Sequence, residues 1–284
     1  MSAKLYVVAT PIGNLNDITF RAIEVLKSVS LVAVEDTRQA KKLWVRFGIN
    51  TRMQICNKDN EYNVTDKILK ILQDGNDVAL ISDAGTPLIH DPGSMLVAKA
   101  AAMGCVVIPI PGACALVAAL SVAGFDASNF IYCGFPPQKK SILLSELESL
   151  KFFDKTLVFY EAPHRIKKTL QAMLDIFGCE REVVIAREIT KLHEEFVRGT
   201  LKFVLDNFEN GTLVIKGEFV IVVKGYIAKD NRITNLENEA MEIFVTEALK
   251  KLTVKDVVSL TTIAFKQPQN TVYDMCLSIK NRSS

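Results

Sequence analysis

Apolar runs of strand length alternate along the chain with segments whose apolar residues recur every three or four positions. LYVVAT (5–10) comes first, and the segment 17–29 follows with Ile18, Ala22, Val25, Leu26 and Val29 at helical spacing. LVAV (31–34) runs through EDTR into QAKKLWVRFGI. DVALIS (77–82) runs through a loop into GSMLVAKAAAMG, and VVIPI (106–110) runs through PG into ACALVAALSVAG. Near-continuous apolar strands joined by amphipathic helices predict a parallel sheet with both faces covered.

A second block begins after residues 126–150. TLVFYE (156–161) precedes a helix around 163–177 and then EVVIAREI (182–189). EEFVRG (194–199) and GEFVIVVKG (217–225) flank a helix at 200–208, which predicts a mixed sheet with antiparallel pairs. Residues 226–238, YIAKDNRITNLEN, are polar and rich in turn formers, and read as a linker. Beyond it the pattern is helical only: around 239–251, VKDVVSLTTIAF, a turn at KQPQN, and TVYDMCLSIK with Asn270 as its cap. The expected domains are 1–112, 113–228 and a helical unit at 239–284. From residue 248 onward six Lys or Arg accompany two acids, so this unit either grips a nucleic-acid backbone or pads the main body.

The length of 284 residues accommodates two packed domains, and 49% hydrophobic with 23% charged residues leaves no room for long disordered arms. The net charge of +2 gives no global signal for nucleic acid, so an RNA or DNA surface would have to be a local patch. The start, MSAKLYVVATPIG, is too short in apolar residues for a signal peptide. The six cysteines form no CxxC pair, which points to reduced thiols in a cytoplasm and away from zinc. Residues 100–125 carry no charge, but Gly104, Pro109, Pro111 and Gly112 cut them into a helix end, a strand, a turn and a helix, so no membrane span is expected.

In open α/β sheets, ligands bind beyond the carboxyl ends of the strands. TPIGNLND, EDTR, SDAGTPLIHDPG and PGACA stand there in the first block, and YEAPHR and REITKLHEE in the second. The absence of GxGxxG, GxxxxGK[ST] and GxSxG excludes a dinucleotide fingerprint, a P-loop and a hydrolase elbow. His90, His164 and His193 are not spaced as metal ligands, and adjacent His90 and Asp91 would point apart. HDPG reads as a helix start with Asp91 as cap and Pro92 in the first position, whereas Ser82–Asp83–Ala84–Gly85 allows a ligand close to the backbone. EDTR admits two readings: Asp36 or Thr37 caps the next helix and Arg38 answers Glu35, or the group is part of a site. EAPHR divides in the same way, with Pro163 opening a helix and His164 a polar end-of-strand residue.

Taken in order, TPIGNLNDITFRA, EDTR, SDAGTPLIHDPG, PGACALVAAL, CGFPP, FYEAPHR and REITKLHEE resemble the tetrapyrrole methylase superfamily, in particular its branch acting on bacterial small-subunit ribosomal RNA. The similarity covers nearly the whole chain. It implies an α/β fold of two domains, an N-terminal parallel-sheet domain and a mixed-sheet second domain, with a small helical C-terminal domain. It also implies S-adenosylmethionine (S-adenosyl-L-methionine) as methyl donor and the ribose 2′-hydroxyl of a cytidine in the decoding region of 16S rRNA as acceptor. The partner would be small-subunit rRNA in the assembled 30S subunit, and the protein a cytoplasmic homodimer without membrane or DNA partners.

The family's donor cleft, carried onto this chain, falls on Pro11, Gly13, Asp83, Ala84, Gly85, Leu88, Ile89, Ala113, Cys114, Phe159, Tyr160 and Ala186. Transfer from a sulfonium is an in-line displacement, so positioning and exclusion of water should dominate. The acceptor hydroxyl needs a proton acceptor or a nearby cation, for which Glu35, Asp36, Glu161, Glu188 and Lys191 are candidates. Arg38, Arg165 and Arg187 suit phosphate oxygens. His90 and Cys114 stand where the family usually has serine, and QKKSILL lacks an expected arginine. Two other readings stand beside this one. A tetrapyrrole-precursor C-methyltransferase would carry GxGPGD where this chain has TPIGNLND; a non-catalytic RNA-binding ribosome-assembly factor would bind without transfer.

Overall fold

The apolar runs of the first block become β1 (Lys4–Val8), β2 (Leu31–Val34), β3 (Met53–Ile55), β4 (Val78–Leu80) and β5 (Val106–Ile110) in the computed structural model, which describes residues 3–227, 231–265 and 267–282. Their order is β3-β2-β4-β1-β5 and every pair is parallel. All residues of β2 and β4 are buried, as strands covered on both faces must be. On one face lie α1 (Phe20–Ser28) and α2 (Thr37–Phe47), contributing Leu26, Leu43 and Trp44. The other face takes α3 (Glu61–Gln73) and α4 (Ser94–Ala102), contributing Ile68 and Leu96. α1 starts where the Thr19 hydroxyl accepts from the Ala22 amide at 3.1 Å, and α2 starts at Asp36, whose carboxylate accepts from the Arg38 amide at 2.8 Å.

The expected start of α4 at Asp91 is wrong. Its cap is Gly93 at φ +120°, and the orphan amides of Gly93 and Met95 donate to Glu61 Oε1 of α3 at 3.1 and 2.9 Å. A Cβ at position 93 would stand 2.5 Å from Leu80 Cδ2, so glycine lets this helix start settle onto β4. Asp91 lies beside Ser82 instead.

The second block forms β6 (Phe130–Gly134), β7 (Thr156–Glu161), β8 (Glu182–Arg187), β9 (Glu195–Thr200) and β10 (Phe219–Val223) in the order β6-β7-β10-β8-β9. β6 and β7 are parallel; the remaining pairs are antiparallel. α6 (Lys140–Leu150), α7 (Ile166–Phe177) and α8 (Leu201–Glu209) cover one face, and α5 (Ala115–Ala123) covers the other. Strand alternation divides β7 accordingly: Leu157 and Phe159 face α6–α8, while Val158 and Tyr160 face α5.

These two sheets belong to one compact unit, residues 1–226, and residues 227–284 form another. The second unit comprises α9 (Asn231–Leu249), α10 (Val254–Phe265) and α11 (Gln269–Arg282) around Met241, Val245, Val257, Val258, Val272 and Cys276. The segment expected to be a linker is already helical at Asn231; its residues 228–230 lie outside the described residues. Asn270 lies inside α11 rather than capping it, and the Pro268 carbonyl accepts from the Val272 amide at 3.2 Å. β3, α3, β6 and α6 stand where no element is predicted. Among the described residues no helix is long and apolar enough to cross a membrane.

Candidate active site

The loops that leave the first sheet are fastened to one another. Thr10 and Gly85 exchange backbone hydrogen bonds of 2.8 and 3.0 Å, which joins the loop after β1 to the loop after β4. The Thr86 hydroxyl donates to the Ala113 carbonyl at 3.1 Å, and the Asp36 amide donates to Asp83 Oδ1 at 3.0 Å. Loops after β1, β2, β4 and β5 thus share one framework around residues 82–86. Gly85 sits at φ +82°, while Leu88 and His90 take left-handed φ of +73° and +77° without the freedom of glycine. Across from them Glu188 and Thr190, after β8, adopt φ of +50° and +66°. Strained backbone in two such loops is held only where surrounding contacts over-determine it, and it clusters at functional sites.

Gly13 lets the loop after β1 meet the loop after β8. A Cβ there would stand 2.4 Å from Lys191 Cγ and 2.8 Å from the Thr190 hydroxyl, and the Asn14 amide donates to that hydroxyl at 3.1 Å. Two chambers lie on either side of a ridge made by Ile12 and Ala84. One, of about 350 Å³, is largely apolar and is walled by Gly85, Ile89, Cys114, Phe135, Tyr160 and Val220. Its rings form a row, with His90 4.6 Å from Phe135 and Phe135 5.7 Å from Tyr160. The other, of about 410 Å³, is polar and is lined by Pro11, Gly13, Gln39, Lys42, Asp83 and Lys191. Glu218 borders both. An open depression of about 660 Å³, with Glu35, Asp36, Arg38 and Lys58, adjoins the polar chamber at Asp83.

Lys191 Nζ bridges Glu188 Oε1 at 2.8 Å and Glu218 Oε2 at 2.9 Å. Burial works against its ammonium, but these two carboxylates outweigh burial and hold its pKa above the ordinary lysine value. Burial likewise opposes the Glu188 carboxylate, and the Lys191 hydrogen bond with the Glu218 amide brings it below its ordinary value. The carboxyls on the other side behave oppositely. Burial, then repulsion from Glu35, raises Asp83; burial, then Asp91, raises Glu35; burial raises Asp91.

A pH signature follows from Glu35. Its folded-state value lies above the ordinary 4.5, so its share of stability is complete below pH 4.5 and is lost as pH rises through the raised value. Glu35→Gln, which keeps an oxygen for the Asp83 amide, should therefore stabilise the protein near neutral pH and leave it unchanged below pH 4.5. Urea midpoints across pH test this, and a gain that persists in acid would contradict it.

The residues expected at the site divide into groups. Pro11, Gly13, Asp83 and Lys191 line the polar chamber, Ala84 both chambers, and Gly85, Ile89, Cys114 and Tyr160 the apolar one. Cys114 is the cap of α5 without a side-chain capping hydrogen bond, and the Tyr160 hydroxyl accepts from the Leu116 amide at 3.1 Å instead. Leu88 packs beside the α3–α4 core, Ala113 offers its carbonyl to Thr86, and Ala186 is buried beneath α5.

Phe159 does not reach the cleft: its ring is wholly buried on the opposite face, as the alternation of β7 requires. Glu161, although bordering the apolar chamber, has a side chain without solvent exposure; it accepts from the Thr169 hydroxyl and from the Ala162 amide, and pairs with Arg165 Nε at 3.5 Å. Arg165 in turn donates to the Pro136 and Pro137 carbonyls. Arg187 pairs with Glu195 at 2.9 Å beside Ile185 and Phe208, on the α8 side of its sheet. Arg38 answers Asp36 rather than Glu35, through Nε at 2.9 Å and Nη2 at 2.6 Å. Sequence reasoning missed Ile12, Gln39, Lys42, His90, Phe135 and Glu218 as lining residues. Phe135 follows a strand that was not predicted, and Glu218 opens β10 rather than following a strand.

A family model described as Tetrapyrrole (Corrin/Porphyrin) Methylases matches residues 4–204, which include every loop around the two chambers except the one bearing Glu218 and Val220. A Pseudomonas aeruginosa protein named ribosomal RNA small subunit methyltransferase I is 42% identical over 98% of both chains. A Bacillus subtilis protein of the same name is 40% identical, covering 95% of this chain and 92% of its own. The crystal structure of uroporphyrin-III-C-methyltransferase from Thermus thermophilus shares the fold, with a TM-score of 0.56 at 17% identity over 78% of this chain and 94% of that one. The chain belongs to the tetrapyrrole methylase family, among relatives named ribosomal RNA small subunit methyltransferase I.

Proposed function

We propose that the protein transfers the methyl group of S-adenosylmethionine to the ribose 2′-hydroxyl of a cytidine in the decoding region of small-subunit rRNA, met in the assembled 30S subunit. The observation that carries this reading is the pair of chambers sharing the Ile12–Ala84 ridge, one apolar and ring-walled, the other polar and bearing ammonium groups. A reaction between a nucleoside-bearing donor and a nucleic-acid acceptor needs such a pair. Relatives 40–42% identical over 95–98% of this chain carry the rRNA name. The resemblance further supports a cytoplasmic homodimer.

The apolar chamber fits the donor. Gly85 brings backbone to its wall, and Phe135 and Tyr160 present ring surfaces to an adenine. Bound there, the donor supplies an electrophilic methyl on a sulfonium. The chain's own part is to orient, exclude water and take one proton. Lys191, held charged between two carboxylates, has no lone pair to accept it. Asp83 lines the polar chamber with a carboxyl raised by burial and Glu35, and only Oδ1 is engaged by the Asp36 amide. Asp83 Oδ2 is accordingly assigned as acceptor of the hydroxyl proton.

The reading is tested by incubating the protein and methyl-labelled donor with small subunits that lack the modification. Label should appear in one cytidine and make the adjoining phosphodiester resistant to alkali. Label on a base, or transfer to a porphyrin precursor with none to RNA, would overturn it. Donor binding without any transfer would favour the assembly-factor reading.

A further inference from the structure

Two of the three arginines expected on phosphates are spent inside the fold, Arg165 on Glu161 and Arg187 on Glu195. The outward-facing cations beside the polar chamber include a row on α2, with Lys58 in the adjoining depression. This helix carries Arg38, Lys41, Lys42 and Arg46 and no acid, whereas the whole chain is only +2. Ala40, Leu43 and Trp44 bury its inner face, so the four cations stand in solvent. They are not equivalent. Arg38 is gripped by Asp36, with Glu35 and Asp83 bordering the same depression, which repels an anion at that end. Lys42 instead lines the polar chamber, and its Nζ donates to the neutral Gln39 Oε1 at 2.6 Å. Among the described residues neither Lys42 nor Arg46 has a carboxylate partner within ion-pair distance. Four residues apart, they share a face and are separated by about 6 Å along the helix, comparable to successive phosphates of an extended strand.

We propose that α2 is the track for the acceptor strand's phosphate backbone: Lys42, oriented by Gln39, takes the phosphate beside the ribose in the polar chamber, and Arg46 takes the next one outward. This rests on the reading of the acceptor as RNA. Phosphate contacts of this kind fix register without reading sequence. Lys42, held by a neutral amide, has no carboxylate offsetting its ammonium, unlike Lys191 between two carboxylates.

The test compares the double variant Lys42→Gln/Arg46→Gln with Lys67→Gln/Lys70→Gln, an equal loss of charge from exposed positions on α3. KM for unmodified small subunits should rise roughly threefold to tenfold per α2 cation, with kcat at saturation within about twofold. The slope of log binding constant against log salt should fall by about 1.4, at ~0.7 per single-strand phosphate. Donor affinity and thermal midpoint should match the wild type, and the α3 control should show none of these changes. Lys42→Arg should restore most of the KM. Equal KM and salt slope in the α2 and α3 variants would overturn the assignment. A raised KM with an unchanged salt slope would also overturn it, by placing α2 against something other than phosphates. Failure of the wild type to methylate rRNA at all would sink the functional reading first, and the track with it.

Discussion

Asp83→Asn is expected to lower kcat for methyl transfer by about 10²–10⁴, the usual worth of a positioned proton acceptor, with donor affinity within about twofold of wild type. The substitution is close to isosteric. The amide oxygen of the introduced asparagine can still accept from the Asp36 amide, so the joint between the loops after β2 and β4 survives. What is lost is the ionisable carboxyl of a residue that lines the polar chamber. The pH profile separates this role from a merely structural one. In the wild type the rate should climb as pH passes the raised Asp83 carboxyl and then level off. In the asparagine variant that limb should vanish. Single-turnover transfer from labelled donor measures both. Parallel loss of donor affinity would instead seat Asp83 against the donor's methionine end, the alternative that the family resemblance implies.

The second large effect concerns stability. Glu161→Ala should destabilise the first unit by about 3–5 kcal/mol, the cost of stranding one partner of a buried ion pair. The Glu161 side chain is fully buried and the Arg165 side chain is only 16% exposed. Removing the carboxylate leaves the Arg165 guanidinium with only the Pro136 and Pro137 carbonyls, and the Thr169 hydroxyl with no acid to donate to. A fall in Tm of about 10 °C is expected for a unit of this size. Glu161→Leu with Arg165→Met should recover much of it, since a well-packed apolar pair replaces a buried ion pair at little cost. Activity of Glu161→Ala below its unfolding range should remain close to wild type. A severe loss of kcat with an unchanged Tm would return Glu161 to the list of proton acceptors.

Glu161 also shows where reading a sequence stops. Its position at the end of an apolar run marks it correctly as a strand-end residue, but only the pairing of β7 with β10 and the approach of α7 decide that its carboxyl points inward. Phe159 fails for a similar reason. Its strand is evident from TLVFYE, yet which face of that strand meets the cleft depends on α5 crossing to the second sheet. Both sheets, their parallel and mixed characters and the terminal helices are legible because long apolar runs and helical periodicity report burial directly.

The missed elements divide in two. β3 and β6 are edge strands with half-exposed residues, a weak signal. α3 and α6 carried apolar residues at helical spacing, Val64, Ile68, Leu69 and Leu72 in the first and Leu143 and Leu147 in the second. The false cap at Asp91 illustrates a different limit. The local Asp-Pro-Gly chemistry suits a helix start, but Glu61 of α3 supplies the cap, leaving Asp91 for the carboxyl group around Glu35 and Asp83. Lys42 was hidden in the same way. Nothing in QAKKLWVRF separates it from Lys41 until the helix is set beside the polar chamber.

The central claim is that donor and acceptor meet across the Ile12–Ala84 ridge, with the donor on the apolar side. A crystal structure with S-adenosylhomocysteine bound tests it most directly. The expected result places the adenine against Phe135 and Tyr160, the backbone of Gly85 along the ligand, and the sulfur turned over Ala84 toward Asp83 and Lys191. A ligand lying in the polar chamber beside Lys42, or outside both chambers, would contradict it.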